Sequence, residues 1–355
     1  MCGICGIVGF GAAAPGEEAE GRVSRMLAAL AHRGPDRTGV HSGKAAVFGA
    51  TRLAIRAPAF GDQPMVAADG LMAVCNGEID NHHDLRRLLM TRGREVGMGS
   101  DIEVILPLYE EFGEGFVGLL VGVFALALWD SRSNQLLLAR DRVGERPLFF
   151  AHAPDEMVFA SEVAALTTHP GLTLHVDRRA VATYLWRGSF PAPDTPFAEV
   201  SKVRPGEQVV IDRAGIRRER YWRWGITREP KCPPSEDEFA RILHGAVARQ
   251  TDVDVEYGVF LSGGLDSSLI AAVTRAVRPD VPLRAYTIRF NEPSYDEGGF
   301  AQRVARLFGI DCAPVRIHAD DFPCEIASLV ALTGEPSPTQ PGSRPPSSRG
   351  APDAT

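Results

Sequence analysis

No run of roughly 18 apolar residues occurs anywhere in the chain, and the N-terminus has no charged stretch leading into an apolar one. Neither a membrane span nor a secretory leader is expected, and the cytoplasm is the expected location. Basic clusters interleaved with aromatics are missing too, and the net charge of −7 argues against nucleic-acid partners. Cysteine is sparse. Six residues spread over 355 give no disulfide framework and suit a reducing compartment. The Cys2-x-x-Cys5 spacing precedes an expected strand rather than a helix, and no second Cys pair or His pair completes a zinc set, so no metal ligands are assigned. His82 and His83 are adjacent and are expected to point apart on a helix. The glycines at 263 and 264 are not followed by lysine, which excludes a Walker loop. What is present is ordinary for a folded protein: 45% hydrophobic and 23% charged residues, in a length sufficient for two domains and a sizeable core.

The chain is organised around Met1-Cys2-Gly3-Ile4-Cys5-Gly6-Ile7-Val8-Gly9-Phe10. Removal of Met1 would leave Cys2 with a thiol and an α-amine whose reference pKa is about 8. Such a residue is nucleophile and base at once, while Ile7 to Phe10 read as a buried strand holding it in a core. An amphipathic helix is expected over about 20–31 from Val23, Met26, Leu27 and Leu30, stopped by Gly34-Pro35. Strands are expected at Ala45–Gly49 and Thr51–Ile55. Arg52 in the second reads either as a solvated edge residue or as a holder of a carboxylate. The strand Leu71–Cys75 runs into Asn76-Gly77-Glu78, followed by a helical pattern at Leu85, Leu88 and Leu89. Asn-Gly is most often a hairpin turn, but an Asn side-chain amide beside a Gly N–H also supplies the two donors an oxyanion hole requires. Ser100-Asp101-Ile102-Glu103 has the pattern of a capping box, with Asp101 in a helix first turn. Further strands are expected at Leu119–Trp129, Gln135–Ala139 and Pro147–Ala151. Arg140 to Pro147 reads as a solvated turn.

Taken together, Cys2-Gly3-Ile4, His32 to Asp36, Arg52 to Ile55, Asn76 to Ile79, Ser100-Asp101 and Asp141-x-x-Gly144-x-Arg146-Pro147-Leu148 closely resemble the class II glutamine amidotransferases. These are N-terminal-nucleophile hydrolases with an αββα sandwich. The resemblance covers roughly residues 2–200. It implies glutamine hydrolysis with Cys2, Asn76 and Gly77 as the catalytic set. Arg52 is then implied on the substrate α-carboxylate, with Glu78 and Asp101 on its α-ammonium. Asp80 stands where the family more often has Tyr, with little effect expected.

Residues 185–235 are rich in Pro, Gly, Trp and charge and read as a strand or two followed by a linker, after which a helix is expected over Ser235–Val247. Tyr257–Leu261 then reads as a buried strand, Ser262 to Ser268 as a turn, and Leu265–Val277 as a helix. A strand, a Gly-Gly turn and a helix N-terminus with hydroxyls make a phosphate cradle. The heptapeptide Ser262-Gly263-Gly264-Leu265-Asp266-Ser267-Ser268 resembles the pyrophosphate loop of ATP pyrophosphatases. Strands at Arg284–Phe290 and Ala313–Ile317, with a helix at Phe300–Phe308 between them, complete a βαβαβ run. This is the pattern of a partial doubly wound parallel sheet of the adenine-nucleotide α-hydrolase-like type. By the resemblance, Leu261 and Ile288 flank the nucleoside, residues 262–268 hold the phosphates of ATP, and Asp266 acts on Mg2+–pyrophosphate.

The pairing of the two domains is similar to the glutamine-hydrolysing asparagine synthetases. The reaction implied is adenylation of the aspartate β-carboxylate, then attack by ammonia delivered through an internal tunnel. The domains are placed at 2–205 (glutaminase), 206–235 (linker), 236–333 (partial synthetase) and 334–355, a Pro-rich tail expected to be disordered and to arise from a frameshift or truncation. A synthetase half cut short is expected to leave an apolar face and a sheet edge exposed. Alternatives from the same residues are an amidotransferase acting on another carboxylate, a glutaminase only, or a non-catalytic nucleotide-binding fragment. A homodimer is left open.

Overall fold

The computed structural model describes residues 1–10, 18–225, 233–291, 294, 296–318 and 322–336. Residues 226–232 of the expected linker and the tail from 337 lie outside the described residues. The chain divides into two compact units, Met1–Trp224 with the chain from Ile326 onward, and Gly225–Glu325.

In chain order the first unit begins with β1 (Gly3–Gly9), α1 (Ala19–Ala29), β2 (Arg37–Ser42), β3 (Ala46–Arg52), β4 (Met65–Val66) and β5 (Leu71–Ile79). There follow α2 (His82–Thr91), α3 (Ile105–Phe112), β6 (Gly122–Asp130), β7 (Gln135–Arg140), β8 (Phe149–Ala153) and β9 (Glu156–Ala160). The last elements are α4 (Val163–Thr167), α5 (Arg178–Arg187), β10 (Val200–Lys202), β11 (Glu207–Asp212) and β12 (Gly215–Arg220). The strands form two antiparallel six-stranded sheets, ordered β10-β8-β9-β1-β3-β2 and β12-β11-β7-β6-β5-β4.

Period-two alternation explains the layering. Ile4 and Val8 of β1 join Phe48, Val74, Trp129 and Phe159 in a core between the sheets, with Phe48 and Phe159 edge-to-face at 4.8 Å. Cys5 and Ile7, on the other face of β1, pack with Val23, Met26 and Leu27 of α1. On the far side of the second sheet, Leu71, Cys75 and Phe124 meet Leu85 and Leu89 of α2 and Ile105 and Leu108 of α3. Helices on both outer faces give the expected αββα sandwich, and β1, covered on both faces, is buried along its whole length.

Some boundaries move. The two strands expected at 45–55 are one, β3, which ends at Arg52. The strand expected to stop at Cys75 continues through Asn76 and Gly77 to Ile79, because β6 pairs with it along its whole length. Residues 207–220, placed in the linker by composition, form β11 and β12, with β11 paired to β7.

The second unit contains α6 (Glu236–Gln250), β13 (Gly258–Phe260), α7 (Leu265–Val277), β14 (Arg284–Arg289), α8 (Gly298–Phe308) and β15 (Asp311–Arg316). A last helix, α9 (Phe322–Thr333), follows. The sheet is parallel, ordered β13-β14-β15. Its described core gathers Leu261, Ala271, Leu283, Ala285, Ala301, Ala305 and Ile310. The strand expected to be buried at 257–261 is instead largely exposed, with Phe260 at 80%.

Candidate active site

Cys2 leads directly into β1 and is held by its backbone. The Arg33 Nε donates to the Cys2 carbonyl at 3.0 Å, and Arg33 Nη1 is paired with Glu162 at 2.5 Å. The next two amides are fixed from either side: Gly3 N–H donates to Thr51 Oγ1 at 3.1 Å and Ile4 N–H to Ser161 Oγ at 3.0 Å. The Cys2 thiol is 3.8 Å from the Leu53 carbonyl, and the residue is 8% exposed. Burial pushes the thiol pKa up. The α-amine, carried here by Met1, is driven down to about 6, chiefly by burial. The sign is the useful one for acyl transfer, since an amine with a low pKa is a free base at neutral pH.

Asn76 and Gly77 enter the same region on β5. The side chain of Gln63 pins the strand just before them, donating to the Cys75 carbonyl at 2.9 Å and accepting from its N–H at 2.6 Å. Asn76 is fully buried, yet neither its Nδ2 nor its Oδ1 has a hydrogen-bond partner among the described residues. Leaving a buried amide unpaired costs about 1–3 kcal/mol, so such a group is retained against stability. Gly77 sits at φ +145°, and a Cβ there would run into the Val123 carbonyl. Only glycine fits, which keeps its backbone open to close approach.

Arg52, at the end of β3, is buried rather than solvated. Its Nη2 donates to the carbonyls of Arg56 and Ala57, both at 3.1 Å, while its buried Nη1 has no hydrogen-bond partner among the described residues and stands 4.0 Å from Asp62. Glu78 and Asp101 supply carboxyl groups nearby. Asp101 Oδ2 accepts from the Ile79 N–H at 2.7 Å, tying the turn before α3 to the end of β5. Desolvation first, and the Asp101 carboxylate second, raise the Glu78 pKa to about 8. Cys2 is within electrostatic reach of Arg52 and Glu78, and buried Cys75 within reach of Cys2, Asp101 and Glu78. The expected residues Cys2, Arg52, Glu78 and Asp101, with Asn76 and Gly77 adjoining Cys75 and Glu78 on β5, therefore come together in one buried region.

Several local expectations change. The capping box at 100–103 does not form: Ser100 Oγ donates to Asp101 at 3.1 Å, and the Glu103 carboxylate accepts from Gly99 N–H. The two imidazoles at 82 and 83 do not point apart; their ring centroids are 4.0 Å from each other. The loop 140–147 is not a solvated turn. Asp141 is fully buried, and its carboxylate accepts from the N–H groups of Val143, Gly144, Glu145 and Arg146. This Asp-centred turn delivers Arg146 to Met1, Nη1 lying 2.9 Å from its Sδ, and within electrostatic reach of Glu78. Sequence reasoning gave no role to Arg33, Glu162 or Arg56. Their partners lie far away along the chain, and no local pattern marks them.

In the second unit the loop after β13 is ordered by its own hydroxyls. Ser262 N–H donates to Ser267 Oγ at 3.2 Å, the two seryl oxygens are 3.0 Å apart, and Gly264 N–H donates to Ser262 Oγ at 3.2 Å. Gly263 has φ +85°, and a Cβ there would meet the backbone of Phe300 and Ala301. Gly264 caps α7, whose first turn carries Asp266, and Ser268 Oγ is buried with no hydrogen-bond partner among the described residues. Leu261 N–H donates to the Tyr286 carbonyl at 2.9 Å, and Ile288 is 41% exposed on β14. Backbone amides, a 13-residue helix N-terminus and an unpaired hydroxyl together fit a phosphate chain. One exposed carboxylate beside them fits Mg2+, which takes few protein carboxylates and keeps phosphate oxygens and water as its other ligands.

The glutamine amidotransferase domain family matches residues 1–222, and the asparagine synthase family matches residues 238–346. An asparagine synthetase (glutamine-hydrolyzing) of Bacillus subtilis is 33% identical over 329 residues, 87% of this chain and 53% of that protein. One of Arabidopsis thaliana is 36% identical over 275 residues, 77% of this chain and 42% of its own length. A solved glutamine phosphoribosylpyrophosphate amidotransferase from B. subtilis aligns at 18% identity and a TM-score of 0.47, over 89% of this chain and 81% of that one. The chain spans about half the length of the curated relatives it matches. Among the described residues no helix is long and apolar enough to cross a membrane.

Proposed function

The chain belongs to the glutamine amidotransferase family, and from that premise we propose that its first unit hydrolyses glutamine at Cys2. The Cys2 thiolate attacks the side-chain carboxamide carbon, its proton passing to the chain's α-amine, which is Cys2's own once Met1 is removed. The tetrahedral oxyanion is taken by Asn76 Nδ2 and the Gly77 N–H. Collapse expels ammonia, which carries off the proton held by the amine. Water then hydrolyses the thioester, releasing glutamate and restoring the thiol. The free Nη1 of Arg52 receives the α-carboxylate, and Glu78 and Asp101 receive the α-ammonium. The observation that carries this reading is the fully buried Asn76 amide with no partner for either polar atom. Glutamate release from glutamine tests it. Release must disappear in Cys2→Ala, and equal release from both chains would refute it.

For the second unit the proposal is ATP-dependent activation of a carboxylate, aspartate by the similarity to the asparagine synthetases, in a cytoplasmic protein. The carboxylate oxygen bonds to the α-phosphorus of ATP as pyrophosphate leaves. Ammonia then displaces AMP from the acyl carbon. Residues 262–268 hold the phosphates, with Leu261 and Ile288 beside the nucleoside. Mg2+, held by Asp266 and the phosphates, would neutralise charge on the pyrophosphate. Formation of AMP and asparagine from glutamine, ATP and aspartate tests this half. Glutamate without AMP would confine the activity to the first unit.

A further inference from the structure

Arg56 is the charged side chain of this region that no reaction step above uses. It lies four residues beyond Arg52, only 5% exposed, among three carboxylates. Its Nη2 is 3.1 Å from Asp80 Oδ1, and its Nη1 donates to the Ile79 carbonyl at 3.2 Å. Its approaches to the other two acids are longer: Nε to Glu78 Oε2 at 3.6 Å, and Nη1 to Asp101 Oδ2 at 3.8 Å. The difference matters. Arg56 stands closer to Asp80 and to a backbone carbonyl than to Glu78 and Asp101, so it faces those two acids chiefly as a charge. Glu78 is the next-to-last residue of β5 and Asp80 the first beyond it, and one cation reaches both.

We propose that Arg56, anchored by Asp80, is a positioning residue for glutamine selection: a resident counter-ion that eases the loss of the Glu78 proton as Glu78 and Asp101 together accept the substrate's α-ammonium. The proposal rests on the glutaminase reading above. Two carboxylates facing one ammonium repel each other, and without a second cation one of them holds a proton. Among the described residues, the charged and titratable groups that act most strongly on Glu78, or on which it acts, include Asp101, Arg56, Arg146, Asp80, the Met1 amine and the thiols of Cys2 and Cys75. Arg56 and Arg146 are the guanidinium groups among them, and both oppose the upward push of burial and Asp101 on Glu78. Arg56 is the one whose nitrogens lie within 4 Å of both carboxylates among the described contacts.

The test is calorimetric binding of L-glutamine, and of glutaramate, which lacks the α-amino group, to the Cys2→Ala chain. It is run at pH 7 and pH 9, in two buffers of different ionisation enthalpy. The Arg56→Met/Asp80→Asn pair removes one charge of each sign. It should weaken glutamine about tenfold at pH 7 and release more protons per glutamine bound. The loss should narrow toward pH 9, and glutaramate binding should stay unchanged. Arg56→Lys should recover most of the affinity. Unchanged glutamine binding in the pair, or an equal loss for glutaramate, overturns the proposal. If the double variant fails to fold by circular dichroism, Arg56→Gln alone must weaken glutamine binding by a few-fold at pH 7 while sparing glutaramate; no loss there also overturns it. Cys2-dependent glutamate release by the parent chain separates the two claims. Its absence removes the glutaminase reading and this proposal together, whereas release with an indifferent double variant removes the proposal alone.

Discussion

The two units hold their candidate sites in opposite ways. In the first, Asn76 is fully buried, Cys2, Arg52 and Asp101 nearly so, and three clusters of fully or nearly fully buried side chains surround them. In the second, the loop 262–268 is half-exposed to exposed and rests on one small cluster rich in alanine. Around it Phe260, Leu265, Phe300 and Leu307 are each more than half exposed. A site that must stabilise a developing charge with fixed dipoles needs rigid, dry walls, which a two-sheet sandwich supplies. A phosphate cradle asks less. Backbone amides and a helix terminus carry their polarity with them, so local hydrogen bonds suffice to shape it.

That contrast can be broken or sharpened by substitution. The largest effect belongs to Cys2→Ala, expected to cut glutamate release by at least about a thousandfold while circular dichroism is unchanged. Next is the core itself. Phe48→Ala, between the sheets, should cost about 3–5 kcal/mol in urea denaturation, whereas Phe260→Ala on the exposed strand should stay within about 0.5 kcal/mol. Equal costs would erase the distinction between the units. Asn76→Ala should lower kcat for glutamine by about a hundredfold with the unfolding midpoint unchanged or raised, because it removes a buried amide that has no partner. A large drop in the midpoint would mean that the amide is structural. The smallest effect concerns pH. Below about 8 the Glu78 carboxyl holds its proton and is a poor ammonium acceptor. The KM for glutamine should therefore fall several-fold as the pH rises through that value, and Glu78→Gln should flatten the profile.

Much of the fold was legible in order along the chain. The amphipathic spacing of Val23, Met26, Leu27 and Leu30 places α1, and Leu265–Val277 places α7, because helical periodicity is local. Strand ends were less so. Asn76-Gly77 reads locally as a turn, and only the partner β6, some 45 residues onward, keeps it extended. The same distance effect misplaced β11 and β12. The charged run Arg217 to Arg220 looks like a linker until β11, itself laddered to β7, pairs with it. Asp141 was hidden in a run of charge, and its burial follows from four N–H groups that a one-dimensional pattern does not display.

By itself the sequence determined which residues were available for chemistry and in what order. A cysteine behind Met1, an Asn-Gly-Glu triplet and a Ser-Gly-Gly-Leu-Asp-Ser-Ser turn carry their chemistry in adjacent atoms. Tertiary structure alone decided what surrounds them. It buried Arg52, left Asn76 without a partner, clasped the Cys2 carbonyl with Arg33 and set Arg56 among Glu78, Asp80 and Asp101. The reason is physical. Charge, desolvation and hydrogen-bond satisfaction depend on what lies within a few ångströms in space, and the residues that meet here are separated by tens of positions along the chain.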